Sequence, residues 1–93
     1  MKHEKQRRQY KVQLVVRHPC RMCDKVQSEL EAEAFDFPNI VLEIIDADTA
    51  KTYPGNRTPF ITPAVWVNER LWFLGGFDIR RFRQKFRVLT YTN

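Results

Sequence analysis

The spacing of apolar positions changes repeatedly along this chain, and each change marks the border of an element. Tyr10-Lys11-Val12-Gln13-Leu14-Val15-Val16 starts as an alternation and ends as a continuous apolar run, the pattern of a central strand buried on both faces. His18-Pro19 interrupts it, and from Cys20 the period lengthens. Cys23, Val26, Leu30 and Ala34 recur at helical spacing, with Asp24, Lys25, Ser28, Glu29, Glu31 and Glu33 assigned to the wet side. Phe35 to Asn39, with Pro38, ends this helix.

Ile40 to Ile45 is a second apolar strand rich in β-branched residues. Asp46-Ala47-Asp48-Thr49 reads as the cap of a short helix running to about Tyr53, where Pro54-Gly55-Asn56 stops it. A proline-punctuated connector, Thr58 to Pro63, leads to two strands, Ala64–Val67 and Leu71–Leu74, joined at Asn68-Glu69-Arg70. Gly75-Gly76 breaks the second, and Asp78 is placed to cap a last helix whose buried stripe is Ile79, Phe82, Phe86 and Leu89. The predicted order is β-α-β-α-β-β-α, an α/β arrangement with a parallel βαβ unit followed by a hairpin and a covering helix.

At 93 residues the chain makes one domain, read as residues 10–93 behind a basic, flexible tail of residues 1–9. Nothing in it approaches the run of roughly 20 apolar residues that spans a bilayer. The charged start is not followed by an apolar signal segment, which points to a cytoplasmic, reducing setting in which cysteines serve chemistry or metal binding more often than structural bridges. The net charge of +5 is concentrated at the two ends, in Lys2, Lys5, Arg7, Arg8 and Lys11 and in Arg80, Arg81, Arg83, Lys85 and Arg87. Such charge brings nucleic acid into consideration. The solvated tail and the outer face of a basic helix account for it more simply.

The chemistry-bearing feature is Cys20-Arg21-Met22-Cys23, placed after a strand and at a helix start. Unpaired amide hydrogens and the helix dipole favour a thiolate there. Arg17, Arg21, Lys25 and a protonated His18 act in the same direction, and Asp24 against it. The expected roles are Cys20 as an exposed nucleophile and Cys23, one turn on, as the resolving thiol. The chain has only two cysteines and two histidines, too few for an independent four-ligand zinc site. A zinc site shared between two copies stays open at this stage.

Taken with Thr62-Pro63 before the third strand and Gly75-Gly76 after the fourth, this C-x-x-C resembles the thioredoxin-fold superfamily, and T-P-A-V-W-V … L-G-G-F-D resembles its glutaredoxin-like members. The resemblance runs from Tyr10 to Leu89. It implies a four-stranded mixed sheet in order 2-1-3-4 flanked by helices, and a cis bond at Pro63, where proline lowers the cost of cis to roughly 0.5–1 kcal/mol. It further implies that Thr62 and Pro63 pair with a substrate backbone and that Gly75 and Gly76 let it approach, with Pro19, Arg21 and Asp78 in support. The implied activity is thiol–disulfide exchange with protein or small-molecule disulfides. The protein would work as a monomer with no bound cofactor, and glutathione or a thioredoxin-reductase-like enzyme would be the external reductant. The chain departs from the family in its Arg-Met dipeptide, in lacking a tryptophan before the motif, and in having Leu14 nearest the position of the buried acid. Asp78 also stands where glutathione-using members carry a polar residue and Ile79 where they carry the aspartate that grips glutathione, which leaves glutathione specificity open.

Trp66, Trp72 and Phe77 are assigned to packing, and Arg57, ahead of the Pro63 loop, is a minor candidate for contact with an anionic substrate. The competing account is an adaptor that keeps the fold and binds a partner without redox turnover.

Overall fold

The structure, a computed structural model, describes residues 8–57 and 61–92. The start of the basic tail, including Lys2, His3, Lys5 and Arg7, lies outside the described residues, as do Thr58, Pro59 and Phe60 of the connector. Four strands, β1 (Tyr10–Val16), β2 (Ile40–Asp46), β3 (Ala64–Val67) and β4 (Arg70–Leu74), form one mixed sheet in the order β2-β1-β3-β4. Two helices accompany it, α1 (Arg21–Asp36) and α2 (Ile79–Thr92).

β1 is central. It pairs in parallel with β2, from Tyr10 opposite Ile40 to Val16 opposite Asp46, and antiparallel with β3, from Val12 opposite Val67 to Val15 opposite Ala64. Its apolar run is therefore covered from both sides. Val12, Leu14 and Val16 join Val26 and Leu30 of α1, Val65 and Val67 of β3, and Phe82 and Phe86 of α2 in the main core. Val15 faces the other way, into a smaller cluster with Ile45, Ala47 and Ala64.

β3 and β4 form a hairpin with a loop one residue shorter than the sequence suggests, because Arg70 belongs to β4. Asn68 and Glu69 both adopt positive φ, 48° and 71°, the backbone of a two-residue turn whose twist matches that of the strands. Asn68 is tied to β1: its N–H donates to the Lys11 carbonyl, and its Oδ1 accepts from the Lys11 N–H. An irregularity between Val65 and Trp66 lets Trp72 and Phe73 both reach the helix side, where Trp72 meets Phe82 and Phe73 meets Phe77.

The short helix expected from Asp46 to Tyr53 is absent. Asp46 ends β2, its carboxylate accepts from the Asp48 N–H at 2.8 Å, and Ala47–Thr49 form a turn. Pro54 holds Tyr53 extended (φ −133°, ψ 154°), so a helix has too few residues in which to propagate beyond its costly first turn. Only a 3₁₀ turn, Pro54–Asn56, follows. The segment still covers part of the sheet: Ala50, Tyr53 and Trp66 pack on the smaller cluster, and the Tyr53 hydroxyl donates to the Ala47 carbonyl. Trp66 lies over Gly55, where an added Cβ would come within 2.7 Å of the indole.

Glu33 is the second correction. It belongs to the buried stripe of α1, while Ala34 is only half-buried. The Arg83 guanidinium of α2 donates from Nε to Glu33 Oε1 at 2.9 Å and brings Nη2 within ion-pair distance of the same oxygen, supplying the charge-assisted partner without which a buried carboxylate is costly. That partner lies 50 residues away, beyond the reach of any local pattern.

Candidate functional site

Strand register assembles the site. Val15 pairs with Ala64 and Ala64 with Leu74, so the chain leaves β1, enters β3 and leaves β4 at one end of the sheet. The loops that follow carry Pro19 and Cys20, Thr62 and Pro63, and Gly75 to Asp78. Both helices begin at this end. Cys20, Phe77 and Ile79 pack against the core cluster that contains Cys23.

Cys20 is the N-cap of α1. Its extended backbone (φ −161°, ψ 106°) turns the chain into the helix, and its Sγ accepts from the Cys23 N–H at 3.0 Å. Cysteine is not among the preferred caps, which are Ser, Thr, Asp and Asn. The two sulfurs lie at disulfide distance, with Cα atoms 5.2 Å apart. Cys23 is fully buried, and Cys20 is half-buried rather than exposed, shielded by its contact with the core. The pair is thus asymmetric, with only Cys20 reaching solvent at the start of the helix.

The surrounding charges are sorted by tertiary contacts. Arg17 donates from Nε to Asp48 at 3.2 Å, and Lys25 pairs with Glu29 at 3.4 Å one turn on, so both are partly neutralised. Arg21 and Asp24 are exposed in the first turn of α1, and His18 and Pro19 are exposed before it. The His18–Pro19 and Thr62–Pro63 bonds are both cis; the sequence reading expected the second only.

Pro63 is buried and its carbonyl accepts from the Gly75 N–H at 2.7 Å, which ties the loop before β3 to the loop after β4. Gly75 has φ +83°, and a Cβ there would come within 2.9 Å of Ile61 Cγ2. Glycine is needed at this position for both reasons. Gly76 differs. It is exposed, and an added Cβ would meet nothing within 4 Å among the described residues, so packing does not account for its missing side chain. Asp78 accepts from the Arg80 N–H at 2.9 Å, as expected of a helix cap.

Sequence reasoning missed an exposed apolar component of this end. Met22, inside the cysteine motif, is 47% exposed, and Ile61, beside Gly75, is 49% exposed. The place of Met22 between the two cysteines was the available signal, whereas the exposure of Ile61 is set by tertiary packing. Phe77 stacks edge-on against Phe73 and contacts Phe82, while Trp72 packs on Phe82 with Lys85 over its ring at 5.1 Å. These aromatics serve packing. Arg57 is exposed and sits beside the undescribed part of the connector.

Among the described residues, no three His, Cys, Asp or Glu side chains come together as a metal site, and no helix is long and apolar enough to cross a membrane. No family model matches the chain, and no curated protein matches it. The site's meaning therefore rests on its geometry: a small α/β domain with a mixed four-stranded sheet and a C-x-x-C pair at disulfide distance, compatible with a thioredoxin-like fold.

Proposed function

We propose that the protein is a thioredoxin-like thiol–disulfide oxidoreductase, working in a reducing compartment such as the cytoplasm. The observation that carries this reading is the asymmetric Cys20–Cys23 pair at the start of α1, with the solvent-reaching sulfur serving as helix cap. The Cys23 N–H and the helix dipole stabilise negative charge on Cys20 Sγ, which lowers the free energy of the thiolate relative to the thiol.

In the reductive direction the Cys20 thiolate attacks one sulfur of a substrate disulfide. The substrate S–S bond breaks, a mixed disulfide to Cys20 forms, and the first substrate sulfur leaves as a thiolate. Cys23, having lost its proton, attacks Cys20 Sγ; the intramolecular disulfide closes and the second substrate thiolate leaves. Two electrons have passed to the substrate, and an external dithiol or two molecules of a monothiol such as glutathione return them. Thr62 and Pro63 align the substrate backbone, and Gly76 leaves room for it.

Ile79 stands where glutathione-using members of the resembled family carry an aspartate, which supports disulfide-containing proteins as the principal substrate. A membrane partner is not invoked.

Equilibration in thiol/disulfide buffers, with alkylation and mass spectrometry, tests the proposal. A reversible Cys20–Cys23 disulfide with a defined midpoint, and exchange activity lost on Cys20→Ser, are the expected results. A pair that never closes, or exchange that survives Cys20→Ser, overturns the reading and leaves a binding module as the better account.

A further inference from the structure

The outer face of α2 has a charge distribution that core packing does not require. The helix contains Arg80, Arg81, Arg83, Lys85 and Arg87 and no acidic residue. Three of these are already engaged, Arg83 with Glu33, Lys85 with the Trp72 ring and the largely exposed Arg80 with Asp78 at 4.0 Å. A shallow groove, open to solvent, runs along the exposed side of this helix, lined by Asp78, Arg80, Arg81, Arg83, Gln84 and Arg87. Its one carboxylate is already the helix cap. The outer face of α1 has the opposite sign, with Asp24, Glu29, Glu31 and Asp36 against Arg21 and Lys25.

Resting on the redox reading above, we propose that this groove holds an acidic segment of the substrate polypeptide, flanking the disulfide that Cys20 attacks. Three features carry the inference. First, α2 begins at the end of the sheet where the cysteine pair lies, directly after Gly75-Gly76, so a chain crossing the pair continues onto the groove. Second, arginine presents a planar fork that matches a carboxylate, and Arg80 to Arg87 spans about 10 Å at 1.5 Å per residue. That length suits about three residues of extended chain at roughly 3.3 Å each. Third, the α1 carboxylates that reach this helix, Glu33 directly and Asp36 and Glu29 at longer range, bear on Arg83, while Arg81 and Arg87 stand exposed to solvent, where they attract an acidic chain. The groove has no aromatic lining on which bases would stack, which favours a peptide over nucleic acid.

The test uses the reduced protein and three cyclic disulfide peptides that differ only in three residues outside the ring: glutamate, glutamine or lysine. Single-turnover reduction is followed at about 20 mM and about 0.5 M salt, where screening lengths differ several-fold. The expected result is that the glutamate peptide is reduced about ten-fold faster than the lysine peptide at low salt, a gap that closes at high salt. Arg80→Glu/Arg87→Glu, checked for folding by circular dichroism, reverses the order. Equal rates for the three peptides, or a gap unchanged in the double variant, overturn the acidic-segment proposal and leave the redox reading standing. No exchange with any peptide overturns both. A DNA oligonucleotide that binds through the same arginines while the peptides are not discriminated reassigns the face to nucleic acid and likewise overturns it.

Discussion

The two helices start at the same end of the same sheet and bury a stripe against the same core, yet their first turns are built differently. At α2, Asp78 caps the helix through a carboxylate, a preferred cap that contributes about 1 kcal/mol over alanine. At α1 the corresponding acceptor is the Cys20 sulfur. The stripes differ as well. That of α2 is aromatic at its centre, with Phe82 and Phe86 stacked at 5.8 Å, whereas that of α1 runs Cys23, Val26, Leu30 and ends on the charged Glu33. One helix start has a strong cap, and the other gives up a good cap to place a sulfur there. Local rules tend to be broken at sites of function.

Cys20→Ser probes this contrast most directly. It abolishes disulfide exchange, because a hydroxyl cannot form the mixed disulfide. Against the reduced wild type it also raises stability by up to about 1 kcal/mol, since serine is the better cap. A calorimetric melt alongside the exchange assay checks both, and a serine variant less stable than the reduced wild type breaks the comparison.

The stripes can be compared by truncation. Phe82→Ala, at a fully buried ring, costs about 3–5 kcal/mol in denaturant unfolding. Val26→Ala in α1 costs about 2 kcal/mol, from roughly 0.8 kcal/mol per buried methylene plus a cavity contribution. Equal costs would mean that the aromatic stripe is no more deeply anchored than the aliphatic one. Asp78→Ala then removes the cap of α2 and costs about 1 kcal/mol in the same measurement.

The Glu33–Arg83 pair joins the two helices and supplies a finer test. Arg83→Met strands a buried carboxylate and lowers the melting temperature more than Arg80→Met, whose guanidinium is on the surface. Adding Glu33→Leu restores most of the loss, because replacing both members of a pair is far milder than removing one. Hydrogen bonding and attraction to the Glu33 carboxylate raise the already high pKa of Arg83, so its guanidinium stays charged through the accessible alkaline range.

The smallest effect is expected outside the helices. Hydrogen bonding and attraction to Glu69 raise the Lys11 ammonium above the ordinary value of 10.5. Its contribution is complete below the unfolded-state pKa and is lost as pH rises through the higher folded-state value. Wild type should lose slightly more melting temperature than Glu69→Gln above about pH 10.5. An equal loss in both proteins assigns the alkaline sensitivity to another part of the fold.

Much of this architecture is legible in order of residues. Strands announce themselves by apolar runs, α1 and α2 by stripes at helical spacing, and the cysteine pair by its position between a strand and a helix. Those signals are local, and the elements they mark are long enough to be decided by periodicity. The missing helix after Asp46 is a local competition as well, but a close one: a capping-like segment loses to the constraint that Pro54 places on Tyr53.

What the sequence by itself determined is therefore the four strands, the two long helices and the place of the Cys20–Cys23 pair between a strand and a helix, because backbone propensity and burial pattern act over a few residues. Tertiary structure alone decided that Glu33 is buried against Arg83, that Arg17 is spent on Asp48, and that Gly75 bonds to Pro63 across the end of the sheet. These depend on partners far apart in the chain, and only strand register and helix packing bring such groups within reach of one another.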